Sequence, residues 1–226
     1  MAAGELSVRT VVSTDDVLDS ALRIADTEGL DALTIRRLGA VLDVAPMTLY
    51  RYFDSKEDLL DQIADRAVDR FEVPFITSGD WKKQVAAIMT AFRQLLLEHP
   101  SLVLLLTTRR VVSVGITRSI EATLSHLQGA GFTGPEAVRA YAGLFAYVLG
   151  FVAFEIPRSG PPDAQAENDR MVVNRLHDFA KTRQFPLVDS LADELAEMAH
   201  GDSFEYGLAR LIDGLGDHVE SARAEE

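Results

Sequence analysis

The sequence of 226 residues predicts an all-α protein, and three observations lead to that prediction. Apolar residues recur at three- to four-residue spacing through nearly every segment, as they do on the buried face of a helix. No stretch of useful length alternates apolar and polar residues like a half-buried strand. The composition, with 47% apolar and 25% charged residues, is that of a globular protein with a core, and no internal repeat is visible.

Composition also limits the possible functions. The chain has no cysteine, which excludes a disulfide framework, a thiolate zinc site and a cysteine nucleophile and suits a reducing compartment. Residues 1–9 lack the basic and then apolar pattern of a signal peptide. The longest uncharged stretch, 140–154, is shorter than the roughly 18 residues of a membrane helix, so we expect a buried helix there. We therefore expect a cytoplasmic protein without membrane contact.

The first 73 residues predict four helices, each bounded by residues that suit a helix end. A hydroxyl side chain starts the first, second and fourth helices, a proline starts the third, and a glycine ends the first. In chain order these residues are Ser13 or Thr14, Gly29, Thr34, Pro46 and Ser55. The second helix is expected to end near Leu42, with a tight turn over 43–45 before the third. The fourth is expected to end near Phe71.

The remaining chain predicts a larger helical part, which begins after Pro74 and the Ser78–Gly79 pair break the fourth helix. Thr133 and Glu136 have the spacing of a capping box at the start of a long apolar helix. The expected helices span 81–98, 101–127 with a break near 107–110, 133–154, 165–181, 188–200 and 202–219. A loop is expected at 157–162, because three of its six residues are proline and one is glycine. The predicted domains are therefore 1–73 and 74–226.

The functional signal lies in residues 33–56. Two short helices joined by a three-residue turn predict a helix-turn-helix, whose second helix can lie in the major groove of DNA. The net charge of −13 for the whole chain disfavours a polyanion as partner. Residues 34–56 nevertheless carry four basic and two acidic side chains, a local charge of +2. We therefore expect a narrow basic patch that binds DNA through a few phosphate and base-edge contacts.

Three motifs carry a family resemblance. LTIRRL at 33–38, VAPMTLYRYF at 44–53 and SKEDLL at 55–60 together resemble the DNA-binding domain of TetR-type transcriptional repressors, over about residues 13–73. Gly131–Thr133 and Phe204–Leu208 are similar in placement to the dimer helices of the tetracycline repressor branch. The resemblance implies a homodimer that binds a palindromic operator and is released by a small-molecule effector.

The same resemblance implies a set of DNA contacts. Thr34 and Lys56 match phosphate-binding positions, and both lie at helix N-termini, where an anion is favoured. Arg36 matches a position that can reach a guanine edge. The expected DNA-binding residues are Thr34, Arg36, Pro46, Met47, Thr48, Tyr50, Arg51, Tyr52 and Lys56. Two alternatives stay open: a helix-turn-helix without DNA affinity, and a Tyr50 that only packs against the first helix.

The C-terminal part is expected to hold a dimer interface and an effector pocket. The resemblance implies a four-helix dimer bundle, with the interface residues Ala142, Ala146, Tyr147, Gly150, Phe204, Gly207, Leu208, Leu211 and Leu215. Apolar helix faces that would converge in this layout predict a pocket for a small apolar or amphipathic molecule. Its expected residues are Met89, Phe92, Arg93, Leu96, Leu104, Thr107, Thr108, Leu124, Tyr141 and Phe145. Plain core packing is the alternative for each of them.

The sequence does not support nucleotide binding, metal binding or enzymatic activity. Residues 129–134 match G-x-G-x-x-G, but no βαβ unit surrounds them. The five histidines lack metal-binding spacing, and Ala146 stands where the tetracycline repressor has a magnesium-binding histidine. We therefore expect no cofactor, no metal and no enzymatic activity. Two alternatives remain: a DNA-binding regulator whose C-terminal part senses a protein and no small molecule, and an enzyme that uses the C-terminal cavity.

Overall fold

The computed structural model describes residues 12–69, 71–74, 79–108, 114–156, 162–198 and 201–224, without the side chains of 162–164 and 218–224. Within these ranges it contains twelve helices and no strand, which confirms the all-α prediction. Four predicted features lie wholly or mostly outside the described residues: the segment 1–9, the break at Ser78, the break near 107–110 and the loop at 157–162.

The first of two compact units comprises residues 1–72 and 99–116. The helices of this unit are α1 (Thr14–Glu28), α2 (Ile35–Leu42), α3 (Pro46–Leu49), α4 (Lys56–Asp69) and α6 (Ser101–Thr108). Residues 99–116 belong to the first unit because α6 packs against both α1 and α4.

Capping and core packing explain the first unit locally. The Ser13 hydroxyl accepts from the amide of Asp16, and the Asp16 carboxylate accepts from the amide of Ser13, a complete capping box. Leu38, Leu49 and Ile63 are wholly buried in this unit, in which α1 packs against α2 and α4, and α2 packs against α3. Truncating such a side chain to alanine typically costs about 2–5 kcal/mol. This core fixes the angle between the two short helices that carry the motif.

The second compact unit comprises residues 73–98 and 117–226. Its helices are α5 (Trp81–Glu98), α7 (Val114–Gly129), which begins in the first unit, α8 (Gly134–Glu155), α9 (Pro162–Arg183), α10 (Pro186–Ser190), α11 (Ala192–Ala196) and α12 (Gly201–Ala224). Helices α5, α8 and α12 pack on one another, and α9 packs with α10 and α11. Thr133 and Glu136 form the predicted cap of α8, with the Glu136 carboxylate accepting from the Thr133 amide at 2.9 Å.

Two helix predictions for this unit need correction. The predicted helix 188–200 is two short helices, because the backbone leaves the helical conformation at Leu191, and α9 ends where Gln184 adopts a positive φ of 60°. The helix expected at 133–154 is also longer than its uncharged stretch 140–154. Helix α8 has 22 residues and is long and apolar enough to cross a membrane, because it extends beyond the uncharged stretch to Gly134 and Glu155. A third of its most apolar window is buried inside the protein.

Candidate functional site

The turn between α2 and α3 is built by close backbone approach. Asp43 ends α2 in the left-handed conformation, with φ 53° and ψ 44°. The amide of Val44 donates to the carbonyl of Gly39 at 3.0 Å. A Cβ at position 39 would lie 2.9 Å from the Val44 carbonyl oxygen, so only glycine lets the two backbones meet. Pro46 then occupies the first turn of α3, where its missing N–H has no cost.

Helix α3 is one turn long, and it divides its side chains between core and solvent. Leu49 is buried, whereas Met47 is 77% exposed and Tyr50 is 48% exposed. Pro46 and Arg51 are also exposed. The predicted recognition residues Pro46, Met47, Tyr50 and Arg51 therefore lie on the surface of the helix-turn-helix, whereas Thr48 is half-buried. The Tyr50 ring lies beside that of Phe53 at a centroid distance of 6.0 Å.

The predicted phosphate contacts Thr34 and Lys56 lie at the starts of α2 and α4. Thr34 is the N-cap of α2, and its hydroxyl accepts from the amide of Arg37 at 3.1 Å. A hydroxyl that accepts this bond can still donate to a phosphate oxygen. Lys56 is the first residue of α4 and is exposed. Arg36, on the first turn of α2, is exposed as well.

Tyr52 differs from the other predicted contacts. Its hydroxyl donates to the carbonyl of Val12 at 2.6 Å and accepts from Arg51 at 3.2 Å. The hydroxyl proton is therefore used in a bond within the protein, which connects the segment after α3 to the chain before α1. In this arrangement Tyr52 could reach a phosphate only by giving up the bond to Val12, and the more direct donors nearby are Tyr50 and Arg51.

Seven of the ten predicted effector residues belong to the second unit: Met89, Phe92, Arg93, Leu96, Leu124, Tyr141 and Phe145. Three of these form an aromatic stack between α5 and α8. The Phe145 ring lies 5.3 Å from that of Phe92 and 5.7 Å from that of Tyr141, with interplanar angles of 18° and 27°. Burial raises the pKa of the Tyr141 phenol to about 12. Met89 and Leu96 are buried core residues of α5.

The other three predicted effector residues, Leu104, Thr107 and Thr108, lie on α6 in the first unit and are exposed. Both threonine hydroxyls donate to carbonyls one turn earlier on their own helix, from Thr107 to Val103 at 2.8 Å and from Thr108 to Leu104 at 2.6 Å. These hydroxyls therefore complete the backbone bonding of α6.

Sequence reasoning missed the acidic partner of Arg93. The guanidinium of Arg93 and the carboxylate of Glu155 form a buried, doubly hydrogen-bonded pair between α5 and α8, with one bond of 2.9 Å. The ring of Phe204 covers this guanidinium at 4.9 Å. Glu155 is the first acidic residue after the apolar run 140–154, and this position is the sequence feature that could have pointed to a buried acidic partner. Because the two partners are 62 residues apart in the chain, spacing alone could not pair them.

The predicted dimer residues divide between the inside and the surface of the second unit. Phe204 and Leu208 are buried within one protomer, and the Tyr147 hydroxyl donates to the Phe204 carbonyl at 2.9 Å. Gly207 lets the Tyr147 ring approach, because a Cβ there would overlap the phenol oxygen. These residues therefore hold α12 against α8 from inside. The other predicted dimer residues are at the surface of α8 and α12: Ala142, Ala146, Gly150 and Leu211 are exposed, and Leu215 is half-buried.

A groove of about 440 Å³ runs between α8 and α12. Phe132, Leu144, Leu211 and Leu215 give it an apolar floor, and Arg139 and Arg210 with Glu136 add charge. Gly143 and Gly214 line it without filling it, since a Cβ at either position would meet nothing within 4 Å. None of the predicted effector residues lines this groove, whereas two predicted dimer residues do.

Comparisons with known sequences match most of the chain. The profile described as "Bacterial regulatory proteins, tetR family" matches residues 17–63. The profile described as "Tetracyclin repressor-like, C-terminal domain" matches residues 73–219. The HTH-type transcriptional repressor DrrR1 of Streptomyces coeruleorubidus is 30% identical over 224 residues, which cover 96% of this chain and 82% of the relative.

Solved structures of similar proteins agree with these family matches. ActR of Streptomyces coelicolor, in complex with actinorhodin, is 27% identical with a TM-score of 0.76 and covers 91% of this chain and 96% of its own. BioQ of Mycobacterium smegmatis has been solved with its double-stranded DNA operator. The BioQ chain in that complex is 27% identical to this chain, with a TM-score of 0.63. The match covers 92% of this chain and 99% of the BioQ chain. The chain belongs to the TetR family of transcriptional regulators.

Proposed function

We propose that this protein is a cytoplasmic, homodimeric transcriptional repressor that binds a palindromic operator. It leaves the operator when a small molecule binds the second unit, called the C-terminal unit below. The observation that carries the proposal is the exposed surface of the helix-turn-helix. In it Met47, Tyr50 and Arg51 surround a short helix whose Leu49 is buried. Large apolar and cationic side chains held on the surface by a rigid core suit a groove-reading element.

The contacts with DNA follow from this surface. Arg36 and Arg51 contact base edges or phosphates, Tyr50 donates to a phosphate, and Thr34 and Lys56 hold phosphates at the starts of α2 and α4. The operator complex of BioQ supports DNA as the partner. Because the chain as a whole carries −13, non-specific DNA affinity is weak and specificity depends on these few side chains.

A dimer is required if the operator is palindromic, since two recognition helices must be spaced by one helical turn of DNA, about 34 Å. The exposed small residues of α8 and the half-open groove beside Leu211 and Leu215 support α8 and α12 as the interface. Small side chains allow two helices to approach closely, and the groove accepts a ridge of the partner's side chains. The interface is isologous, with the same helices facing each other across a two-fold axis.

The effector is a small apolar or amphipathic molecule. The stacked rings of Phe92, Tyr141 and Phe145 support a ligand with a flat apolar body, and the complex of ActR with actinorhodin supports a small molecule as the signal. Effector binding releases DNA only if the effector binds the released conformation more tightly than the operator-bound one. Phe71, buried just after α4, is a candidate link between the two conformations.

Selection of fragments from the source genome by the purified protein tests the proposal. We expect enrichment of one or a few inverted repeats, bound by two protomers per site, and a stable dimer at micromolar concentration in sedimentation. No enrichment over bulk DNA would contradict operator binding, and a monomer at this concentration would contradict the interface of α8 and α12.

A second experiment separates a small-molecule effector from a protein signal. A thermal-shift screen of small apolar and amphipathic compounds should give at least one compound that raises the melting temperature and also weakens operator binding. Phe145→Ala removes the centre of the aromatic stack and should abolish that shift. If no compound binds while a protein co-purifies with the C-terminal unit, that unit senses a protein instead.

A further inference from the structure

Two helices begin within the first unit at aspartates that belong to other helices. The first is α6, whose Ser101 amide and hydroxyl both donate to one carboxylate oxygen of Asp26, at 3.2 and 2.6 Å. The other oxygen of Asp26 lies 2.8 Å from Nδ1 of His99. Asp26 is in the last turn of α1, and only 11% of its side chain is exposed. It therefore acts as the N-cap of a helix that begins 75 residues later.

The second is α7, whose Gly115 amide donates to the carboxylate of Asp69 at 3.0 Å. Asp69 is the last residue of α4. Beside this bond the two backbones are in contact, because a Cβ at position 115 would overlap the carbonyl oxygen of Val68. Glycine at this position lets the first turn of α7 rest directly on the last turn of α4.

The positions of these two aspartates are unfavourable for their own helices. The C-terminal end of a helix carries a partial negative charge, so a carboxylate there is repelled by its own helix. The last turn of α1 holds no basic residue that could offset this. The last turn of α4 holds Arg66, which is paired with Asp15 and Asp19 of α1. At the N-terminus of another helix the same carboxylate is stabilised by the partial positive charge and by unpaired amides. The favourable partner of Asp26 is therefore α6, and that of Asp69 is α7.

Chain connectivity links both caps to the C-terminal unit. Helix α6 directly follows α5, whose residues up to Glu98 belong to the second unit. Helix α7 begins at Val114 in the first unit and continues to Gly129 in the second. A shift of α5 or α7 along its axis therefore acts first on the amides that Asp26 and Asp69 hold.

We propose that Asp26 and Asp69 are positioning residues that couple the C-terminal unit to the operator. Resting on the proposed function, this inference identifies the contacts through which the regulatory signal reaches the DNA-binding helices. With both caps formed, α1 and α4 are held in the arrangement that binds the operator. When α6 or α7 moves and a cap opens, α1 and α4 are free to adopt the arrangement with low operator affinity.

Amide hydrogen exchange with and without operator DNA tests this coupling. The DNA is the operator fragment that the purified protein selects from the source genome. Because linkage is reciprocal, operator binding must favour the capped state. In the wild type we expect the operator to slow exchange at the Ser101 and Gly115 amides by about tenfold. In Asp69→Ala the slowing at Gly115 should be lost and operator affinity should fall by about five- to tenfold, the usual effect of losing a helix cap.

A conservative variant and a charge control separate positioning from simple stability. Asp69→Asn keeps an acceptor oxygen of the same shape and should retain both operator affinity and the slowed exchange at Gly115. Asp65→Ala removes the same charge one turn earlier on α4 and should leave both unchanged. Asp26→Ala and Asp26→Asn form the corresponding pair for Ser101.

A steric variant checks the Asp69 contact independently. Gly115→Ala places a methyl group against the Val68 carbonyl and should weaken operator binding as Asp69→Ala does. Gly129→Ala is the matched control, because it lies on the same helix and its added Cβ meets nothing within 4 Å.

The outcomes distinguish the inference from the function on which it rests. If the wild-type protein binds no operator, both fail. If the wild type binds its operator but Asp69→Ala, Asp26→Ala and Gly115→Ala lower only the melting temperature, with operator affinity and operator-dependent exchange unchanged, the coupling role is overturned while the proposed function stands. The coupling role would also be overturned if Asp69→Asn lost operator affinity and the slowed exchange at Gly115 as severely as Asp69→Ala does.

Discussion

The two units each contain a doubly hydrogen-bonded arginine–glutamate pair, and the pairs differ in burial. Arg37 donates to Glu28 at 3.0 and 2.8 Å with 46% and 37% of the two side chains exposed. Arg93 and Glu155 make the same pair of bonds with 10% and 11% exposed. The geometry is nearly the same, but solvent screens the first pair and is excluded from the second.

This difference shows how each unit uses charge. In the helix-turn-helix the charged side chains remain at the surface, where they can exchange water or a protein partner for a phosphate at little cost. In the second unit the Arg93–Glu155 pair is inside, and each of its two charges depends on the other because an unpaired buried charge is strongly unfavourable. The Arg37–Glu28 pair also occupies the Arg37 guanidinium, and Arg36, on the same turn of α2, is exposed as well.

The largest expected effect separates these pairs directly. Glu155→Ala leaves the Arg93 guanidinium buried beneath Phe204 without its carboxylate, and we expect a loss of about 3–5 kcal/mol in the free energy of unfolding. Glu28→Ala removes the same partner from the exposed pair and should leave the denaturation midpoint within experimental error. Urea denaturation of both variants checks this. Equal losses would contradict the distinction between the two pairs.

A smaller effect on stability, with a larger one on DNA, is expected at the helix-turn-helix turn. Gly39→Ala places a Cβ 2.9 Å from the Val44 carbonyl, so α2 and α3 must move apart. We expect about 1–3 kcal/mol of destabilisation from this overpacking and at least a tenfold loss of operator affinity, measured by fluorescence anisotropy. Gly129→Ala, which has open space around it, is the control. Unchanged operator affinity in Gly39→Ala would show that the angle between α2 and α3 does not matter for binding.

The smallest expected effect concerns pH and the Tyr141 phenol of the aromatic stack. Burial raises the pKa of Tyr141 from 10.0 to about 12, so the folded protein keeps a proton that the unfolded chain loses first. Stability from this group is therefore complete below pH 10 and is lost as the pH rises from 10 towards 12. Ultraviolet titration should show one tyrosine ionising near pH 12, absent in Tyr141→Phe and retained in Tyr50→Phe. A Tyr141→Phe titration that keeps this step would contradict the burial of the phenol.

Local patterns in the sequence predicted what local physics determines. Helix boundaries at Ser13, Thr34 and Pro46 follow from capping and backbone geometry within a few residues. The all-α class follows from periodicity. The motifs around Tyr50 also predicted the family, because the core and the exposed residues of a helix-turn-helix alternate within one short segment.

Contacts between distant residues could not be predicted in this way. The partner of Arg93 lies 62 residues away, and that of Asp26 lies 75 residues away. Both pairings depend on which helix faces meet, which periodicity does not determine. The same reason explains why Phe204 and Leu208, expected at a dimer interface, are buried inside one protomer, since an apolar stripe on α12 does not tell an internal contact from an external one.

The central claim is that the exposed side chains on α3 and directly after it bind the operator, and the affinity of Arg51→Ala for the selected operator tests it most directly. Arg37→Ala is the matched control, because this arginine of the same unit is held by Glu28. Anisotropy titrations should show Arg51→Ala weaker by about tenfold or more, Arg37→Ala close to the wild type, and identical circular dichroism for all three proteins. Wild-type affinity in Arg51→Ala, or an equal loss in both variants, would contradict the assignment of α3 as the recognition helix.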